Sequence, residues 1–198
     1  MTKIYSTLDK ISSLLKDQNQ IGIILTDTVY GIVCRAQDPE SVEKIYDIKK
    51  RDLNKPPVII ISNLEQIKEL GIVLNANLEL VIKQYWPGRN SLIFELKDPN
   101  FQKKFEYLHR GTNSFAIRLP EYSSNSELLD LINQTGPLAT SSANLQGEPT
   151  ITQISDLKIE ITEQVNFIID SGMCNSQSSN IYKIYSDAEN NYLVTKIR

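Results

Sequence analysis

Hydroxyl side chains and cations recur in short clusters along the sequence, and together they have the chemistry of an anion-binding site. The clusters are Thr26-Asp27-Thr28, Lys49/Arg51/Lys55, Ser114 to Arg118, Thr140 to Asn144, Ser178-Ser179-Asn180 and the terminal Arg198. Arginine is a rigid bidentate donor to phosphate and carboxylate oxygens, and hydroxyl groups donate to the same oxygens. We therefore interpret the clusters as a site for a polyanion such as a nucleotide triphosphate.

Each cluster also has a purely structural interpretation. Residues 26–28 could form only a turn, and residues 142–144 could cap a helix. Arg118 could face solvent at the edge of a sheet, and the cations Lys49 and Arg51 could complement a helix C-terminus. A binding site is favoured because the clusters recur at the ends of elements, which is where ligands bind in open α/β sheets.

Composition and missing motifs exclude several other kinds of site. The sequence contains no phosphate-binding G-x-x-x-x-G-K-[ST] or G-x-G-x-x-G and no G-x-S-x-G nucleophile motif. His109 is the single histidine, and Cys34 and Cys174 are the two cysteines, so paired-histidine metal motifs and a disulfide framework are excluded. The net charge of −3 and the pI of about 5.3 disfavour a bulk nucleic-acid binder. We expect a cytoplasmic protein, because no signal peptide or membrane-length apolar run is present.

The residues before Lys49 predict a helix that ends between the two cations. Asp38-Pro39-Glu40 is typical of a helix start, and apolar residues follow at helical spacing. Lys49 lies on the apolar face, so we expect its amine to emerge into a cleft, since burial of an ammonium group is costly. Arg51 can meet the same ligand only if the helix stops before it, and Pro56-Pro57 favours such a stop.

The remaining periodicities alternate between strands and helices. Strands are predicted over residues 21–25, 29–33, 57–61, 91–96, 115–119, 137–141, 167–170, 181–185 and 192–197, and helices over residues 4–15, 64–70, 78–85 and 128–132. With 198 residues, the chain is most simply one domain over residues 1–198. We expect an α/β fold with a mixed sheet.

Five motifs resemble those of the YrdC/TsaC-type threonylcarbamoyl-AMP synthases. Residues 26–31, TDTVYG, resemble the family's T-[ED]-T-V-Y-G signature, and residues 49–56 are similar to its K-x-R segment with the following K-P. Residues 86–88 match its W-P-G, residues 116–120 look like its v-R-x-P strand, and residues 142–147 resemble its S-A-N-x-S-G. The matches follow the family's order over nearly the whole chain, which makes them specific.

The resemblance implies an activity. Members of this family join L-threonine, bicarbonate and ATP into L-threonylcarbamoyladenylate and release pyrophosphate. The product is used by tRNA-threonylcarbamoyl transferase proteins to modify the tRNA adenosine next to the anticodon. The resemblance also implies a single-domain twisted mixed sheet with flanking helices and a large concave, positively charged cavity, in the short form of the family. Such a reaction needs no protein nucleophile, since positioning and charge neutralisation suffice.

The resemblance further implies roles for individual residues. The catalytic residues would be Lys49 and Arg51. ATP would be held by Arg51, Lys55, Ser114, Ser142, Asn144, Thr150 and Arg198. Threonine would be held by Thr28, Arg118, Thr140 and Ser179, with Arg118 facing the carboxylate. Mg²⁺ would arrive with ATP and be held by phosphate oxygens and water, without a protein metal site.

The chain departs from the family pattern at four places. Ile60 stands where many members have histidine, Arg89 replaces the proline after W-P-G, Gln146 replaces a serine, and residues 179–182 replace S-T-[VI]-V. Two alternatives remain open: a carbamoyl transferase like the YrdC-like domain of hydrogenase-maturation proteins, and a binder of double-stranded RNA. The acidic pI disfavours the latter and predicts weak or no direct tRNA binding.

Overall fold

The computed structural model describes residues 2–187, 189 and 191–198. It contains one twisted mixed sheet with helices packed on both faces. The strands are β1 (Lys3–Tyr5), β2 (Gly22–Leu25), β3 (Tyr30–Arg35), β4 (Val58–Ile60), β5 (Asn90–Glu95), β6 (Ser114–Arg118), β7 (Leu138–Ser142), β8 (Phe167–Ile169), β9 (Asn180–Ser186) and β10 (Tyr192–Lys196). The α-helices are α1 (Ser12–Lys16), α2 (Pro39–Lys49), α3 (Glu65–Glu69), α4 (Ala76–Ile82), α5 (Pro99–Lys104), α6 (Glu106–His109), α7 (Tyr122–Thr135) and α8 (Ile159–Thr162). Short 3₁₀ turns cover Leu8–Ile11 and Ile154–Asp156.

The strand order across the sheet is β1-β8-β2-β3-β7-β4-β6-β5-β9-β10. The pairs β1/β8, β2/β8, β4/β6 and β5/β9 are parallel, and the other neighbours are antiparallel. The predicted α/β fold with a mixed sheet is therefore confirmed. The predicted single domain over residues 1–198 stays a prediction, and it includes Met1, Ala188 and Asn190, which lie outside the described residues.

Two apolar clusters cover the two faces of the sheet. Successive residues of a strand point to opposite faces, and in β3 Ile32 belongs to the larger cluster while Val33 belongs to the smaller one. The smaller cluster packs residues of α1, α7 and the first 3₁₀ turn against β2, β3, β4 and β8. The larger cluster includes the apolar face of α2. The burial of both faces explains the β-branched, apolar strands.

Helix α2 begins and ends where its sequence predicts. The Asp38 carboxylate accepts a hydrogen bond from the backbone N–H of Ser41 at 3.2 Å, and Pro39 is the first helical residue. The helix ends at Lys49, because Lys50 adopts the left-handed conformation with φ 48°. The predicted stop between Lys49 and Arg51 is confirmed.

The prediction of one helix over residues 4–15 is wrong at its start. Ile4 lies in β1 with 67% of its surface exposed, and a 3₁₀ turn precedes the short helix α1. The cause is tertiary, because β1 pairs in parallel with β8, far away in sequence. Helices α5 and α6 were not predicted, although Asp98-Pro99 repeats the start signal of α2 and the Asp98 carboxylate accepts from Asn100 N–H.

Candidate functional site

A cavity of about 410 Å³ lies on the sheet face that carries the smaller apolar cluster. Its floor contains a row of cross-strand partners: Thr140 opposes Val58, Val58 opposes Ala116, and Ala116 opposes Ile93. Thr140 also opposes Val33 of the smaller cluster. Directly opposed residues point to the same face, so the cavity floor continues the face on which α1 and α7 pack.

The cavity brings together most of the predicted site residues. Those that line it are Thr28, Arg51, Lys55, Ser114, Arg118, Thr140, Ser142, Ser179 and Arg198. Further polar side chains in the lining are Thr26, Asn54, Thr112, Ser141 and Ser178. Four cations therefore share one cavity with hydroxyl groups from separate segments of the chain, which is an arrangement suited to an anionic ligand.

Arg51 is held in place by neutral acceptors. Its Nε donates to the carbonyl of Lys55 at 3.0 Å, and its Nη2 donates to the carbonyl of Pro56 at 3.1 Å. Its Nη1 donates to the hydroxyl of Ser141 at 2.9 Å. These acceptors carry no charge, so the positive charge of Arg51 stays available to a ligand. Ser141 was not among the predicted site residues, although it lies inside the hydroxyl cluster of residues 140–144.

Arg198, the last residue of the chain, contributes a further cation to the cavity lining, beside Ser179. Arg198 Nη2 donates to the carbonyl of Ser179 at 3.0 Å, and the Arg198 carbonyl accepts from Ile181 N–H at 3.1 Å. The Ser179 hydroxyl lies 3.0 Å from the hydroxyl of Ser91, and both side chains are buried. The segment before β9 and the last residue of the chain are therefore held together at the cavity.

Residues 26–28 form a turn and also line the site. The Thr26 N–H donates to the carbonyl of Val29 at 3.1 Å, and the Thr26 hydroxyl donates to the same carbonyl at 2.7 Å. The hydroxyls of Thr26 and Thr28 lie 3.1 Å apart and both side chains line the cavity. The structural and the functional interpretations of this segment are thus compatible.

Arg118 forms a buried ion pair with Asp27. Arg118 Nη2 lies 2.8 Å from Asp27 Oδ1, and the two side chains are 4% and 1% exposed. Burial raises the pKa of the Asp27 carboxyl and the Arg118 guanidinium opposes that shift. The alternative of a solvent-facing Arg118 at a sheet edge is wrong, because β6 lies between β4 and β5. Asp27 was not among the predicted site residues, because nothing in its segment indicates which cation it meets.

Lys49 does not emerge into the cavity, so that expectation is wrong. Its amine is buried and donates hydrogen bonds to the carbonyls of Ser142 and Asn144. Burial lowers the pKa of the Lys49 amine to about 8, and the charge of Arg51 contributes. The two carbonyls at the end of β7 solvate the ammonium group in place of water, which removes the need for a cleft.

Asn144 and Thr150 lie beside a second, smaller cavity of about 350 Å³. Asn144 Nδ2 donates to the carbonyl of Glu148 at 2.6 Å, and its buried Oδ1 has no hydrogen-bond partner among the described residues. Residues 143–150 form turns and irregular structure. The alternative that residues 142–144 cap a helix is therefore wrong.

Ile60 of β4 is the direct cross-strand partner of Arg118 in β6. It is fully buried in the smaller cluster, and in the sheet it lies between Leu138 and Arg118. It does not line the cavity. The neighbour of Arg118 on strand β4 is therefore an apolar side chain.

The described residues contain no group of three or more His, Cys, Asp or Glu side chains that could hold a metal ion. The cavity lining offers hydroxyl and carbonyl oxygens, and its described residues include no Asp or Glu side chain. Among the helices of the same residues, none is long and apolar enough to cross a membrane.

A scan against protein-family models matches residues 14–197 to the Sua5/YciO/YrdC family, which carries the description "telomere recombination". The chain belongs to this family. It is 32% identical over 184 residues to a putative threonylcarbamoyl-AMP synthase of Methanocaldococcus jannaschii, a match that covers 90% of this chain and 82% of that protein. It is 28% identical over 162 residues to the threonylcarbamoyl-AMP synthase of Bacillus subtilis, covering 81% of this chain and 45% of that protein.

Solved structures of the family share the fold. Sua5 of Pyrococcus abyssi complexed with L-threonine superposes with a TM-score of 0.77 at 25% identity, covering 92% of this chain and 54% of that chain. YciO of Escherichia coli superposes with a TM-score of 0.79 at 18% identity, covering 100% of this chain and 95% of that chain. The chain thus spans about half the length of the P. abyssi and B. subtilis relatives and nearly all of YciO.

Proposed function

We propose that the chain forms L-threonylcarbamoyladenylate and pyrophosphate from L-threonine, bicarbonate and ATP. The observation that supports this most is the cavity, which gathers cations and hydroxyls from four of the five motifs, all except residues 86–88, and from the terminal Arg198. The relatives named threonylcarbamoyl-AMP synthase and the family structure complexed with L-threonine favour the same activity.

The reaction makes two bonds. The threonine amine captures carbon dioxide derived from bicarbonate and loses a proton, which gives a carbamate. An oxygen of the carbamate then attacks the α-phosphorus of ATP, and the bond to pyrophosphate breaks. In this proposal Arg51, Lys55 and Arg198 neutralise negative charge on the phosphates, while Arg118 binds the amino-acid carboxylate. No cysteine or histidine is found in the described cavity lining, which suits a reaction without a covalent enzyme intermediate.

The proposed ATP and threonine roles fall on different residues of the chain. Lys55, Ser114 and Ser142 line the cavity and are proposed to hold ATP, while Thr28, Thr140 and Ser179 are proposed to hold threonine. Asn144 and Thr150 lie beside the smaller cavity, so a role for them in ATP binding requires the nucleotide to extend there. A catalytic role for Lys49 stays a prediction, and it would require the amine to leave the two carbonyls that it contacts.

Mg²⁺ would be brought to the site by ATP. The described lining contains no Asp or Glu side chain, which disfavours a resident metal ion, whereas hydroxyls fit the water shell of a nucleotide-bound one. We further propose that the product passes to tRNA-threonylcarbamoyl transferase proteins in the cytoplasm. The acidic pI of about 5.3 supports weak or no direct binding of tRNA.

Pyrophosphate release from ATP tests the proposal. We expect release that requires both L-threonine and bicarbonate, together with a product whose mass is that of L-threonylcarbamoyladenylate. Arg118→Ala should raise the KM for threonine, whereas Arg35→Ala, which alters an arginine outside the cavity lining, should not. Release of pyrophosphate without threonine, or no release under any of these conditions, would contradict the proposal.

A further inference from the structure

We propose that Asp27 is a positioning residue for substrate recognition, which holds the guanidinium of Arg118 in the orientation that accepts the amino-acid carboxylate. The inference rests on the proposed function. Arg118 lines the cavity and Asp27 does not, so Asp27 would act through Arg118 and would not touch the substrate. The contact that carries the inference is the 2.8 Å ion pair between side chains that are 4% and 1% exposed.

The backbone fixes both partners of the pair. The Thr26 hydroxyl accepts from the N–H groups of Thr28 and Val29, each at 3.3 Å, and donates to the Val29 carbonyl. Asp27 therefore sits in a turn whose conformation is set by its neighbour. Arg118 ends an interior strand, and its carbonyl accepts from Ile61 N–H at 2.9 Å. With both backbones fixed, the attraction between the two charges holds Arg118 Nη2 at 2.8 Å from Asp27 Oδ1.

Asp27 occupies only part of the hydrogen-bonding capacity of Arg118. A guanidinium has five N–H donors in a planar fork. Arg118 Nη2 lies 2.8 Å from Asp27 Oδ1 as an ion pair, and neither carboxylate oxygen of Asp27 nor the buried Nε of Arg118 has a hydrogen-bond partner among the described residues. Arg118 can thus keep Asp27 on one side and still donate to a second carboxylate from the cavity. This arrangement requires no exchange of partners when the substrate binds.

The surrounding charges also favour a holding role. The positive charge of Arg89 attracts the Asp27 carboxylate and repels the Arg118 guanidinium, and Arg198 also repels Arg118. Asp27 is thus near the charges of Arg118 and Arg89, and Arg118 is also near Arg198, so the charge of Asp27 balances only part of the positive charge around Arg118. Without Asp27, Arg118 would lose the negative charge that offsets its repulsion by Arg89 and Arg198. Burial raises the pKa of the Asp27 carboxyl, and the positive charges of Arg118 and Arg89 oppose that shift.

A competing role makes the opposite prediction. If Asp27 only neutralised Arg118, it would compete with the substrate carboxylate, and its removal would lower the KM for threonine. If Asp27 positions Arg118, its removal raises that KM. The two roles are therefore separated by the sign of one measured change.

The experiment compares Asp27→Asn and Asp27→Glu with the unmodified chain in the pyrophosphate-release assay. We expect Asp27→Asn to raise the KM for L-threonine by at least about tenfold, the scale of a misplaced binding group, while the KM for ATP changes less than about twofold. Asp27→Glu should restore part of the loss because it keeps the carboxylate. An unchanged or lowered threonine KM in Asp27→Asn would overturn the inference.

A double variant covers the case in which Asp27→Asn folds poorly. Arg118→Ala removes the cation that Asp27→Asn would leave buried and unpaired. If Asp27 acts only through Arg118, adding Asp27→Asn to Arg118→Ala leaves the threonine KM unchanged, because the two effects are not additive. A further tenfold rise in the double variant would show a direct or general structural role and would overturn the inference.

The failure of the proposed function gives a different result. In that case the unmodified chain releases no pyrophosphate with threonine and bicarbonate. Calorimetric titration with L-threonine then tests the inference without the reaction, because Asp27→Asn should weaken threonine binding and leave ATP binding unchanged. An unmodified chain that binds no threonine would overturn both proposals, whereas equal binding by the unmodified chain and Asp27→Asn would overturn the inference alone.

Discussion

Arg51 donates a hydrogen bond to the hydroxyl of Ser141 at 2.9 Å, across 90 residues of sequence. The bond ties the segment after α2 to the end of β7, and the carbonyls of Lys55 and Pro56 complete the set of acceptors. A flexible cation is thereby converted into a fixed feature of the cavity wall. Fixed donors are what an anion-binding site requires, since they need no ordering when the ligand binds.

The first prediction concerns ATP affinity. Arg51→Ala should weaken ATP binding by about 1.5–3 kcal/mol, the scale of a hydrogen bond to a charged group, and leave the fold intact. Calorimetric titration with ATP measures the change. Arg35→Ala is the matched control, because Arg35 donates to the carbonyl of Lys16 and does not line the cavity. Unchanged ATP affinity in a folded Arg51→Ala protein would contradict the assignment.

The second prediction concerns Gly31, which lines the cavity. A Cβ atom at this position would lie 2.6 Å from Thr140 Oγ1 and 3.2 Å from Thr26 Cγ2. Gly31→Ala should therefore displace the Thr140 hydroxyl and raise the KM for threonine, with a smaller effect on the KM for ATP. If the clash acts through Thr140, the double variant Gly31→Ala/Thr140→Ala should have the threonine KM of Thr140→Ala. A wild-type threonine KM in Gly31→Ala would count against Thr140 as a substrate contact.

The third prediction separates Ser142 from Asn144. Ser142 lines the main cavity, so Ser142→Ala should raise the KM for ATP and change the free energy of unfolding by less than about 0.5 kcal/mol. Asn144→Ala removes the 2.6 Å hydrogen bond to Glu148 and should lower the free energy of unfolding by about 1 kcal/mol. Denaturant unfolding and steady-state kinetics measure the two quantities. Loss of stability alone in Ser142→Ala would indicate that Ser142 is structural.

The fourth prediction is a pH dependence of stability caused by Lys49. The pKa of its buried amine is about 8, below the value of about 10.4 for an unfolded lysine. Between these values the unfolded chain binds more protons, so this group makes the free energy of unfolding rise with pH, by up to about 1.4 kcal/mol per pH unit. The stability of the unmodified chain relative to Lys49→Met should therefore rise from pH 8 to pH 10. A constant or falling difference would show that the pKa is not lowered.

The fifth prediction concerns the choice of amino acid. Hydroxyls of Thr28, Thr140 and Ser179 can pair with the substrate hydroxyl, and an unpaired buried partner costs about 1–3 kcal/mol. Valine should therefore be rejected strongly, whereas serine loses only one methyl group, worth about 1 kcal/mol, and should be a poor substrate. Adenylate formation with the three amino acids at equal concentration gives the ranking. Equal rates with valine and threonine would exclude the polar pocket.

Local signals in the sequence were sufficient for the elements that depend on short-range chemistry. The start of α2 follows from the Asp38 cap and Pro39, and its end, at the left-handed Lys50, lies in the interval before Pro56 where the sequence predicts a stop. The apolar runs predicted most of the strands because both faces of the sheet are covered. The same signals failed for β1, because its partner β8 lies at the other end of the chain.

The sequence by itself determined which side chains are available: the hydroxyl and cationic clusters, the α/β pattern and the ordered family motifs. Only the tertiary structure decided which of those side chains meet. It placed the Lys49 amine on two carbonyls, it gave Arg51 the hydroxyl of Ser141, and it buried Arg118 against Asp27. The physical reason is that a buried polar group must find a partner, and the partners of these groups lie in segments far away in sequence, which local periodicity does not report.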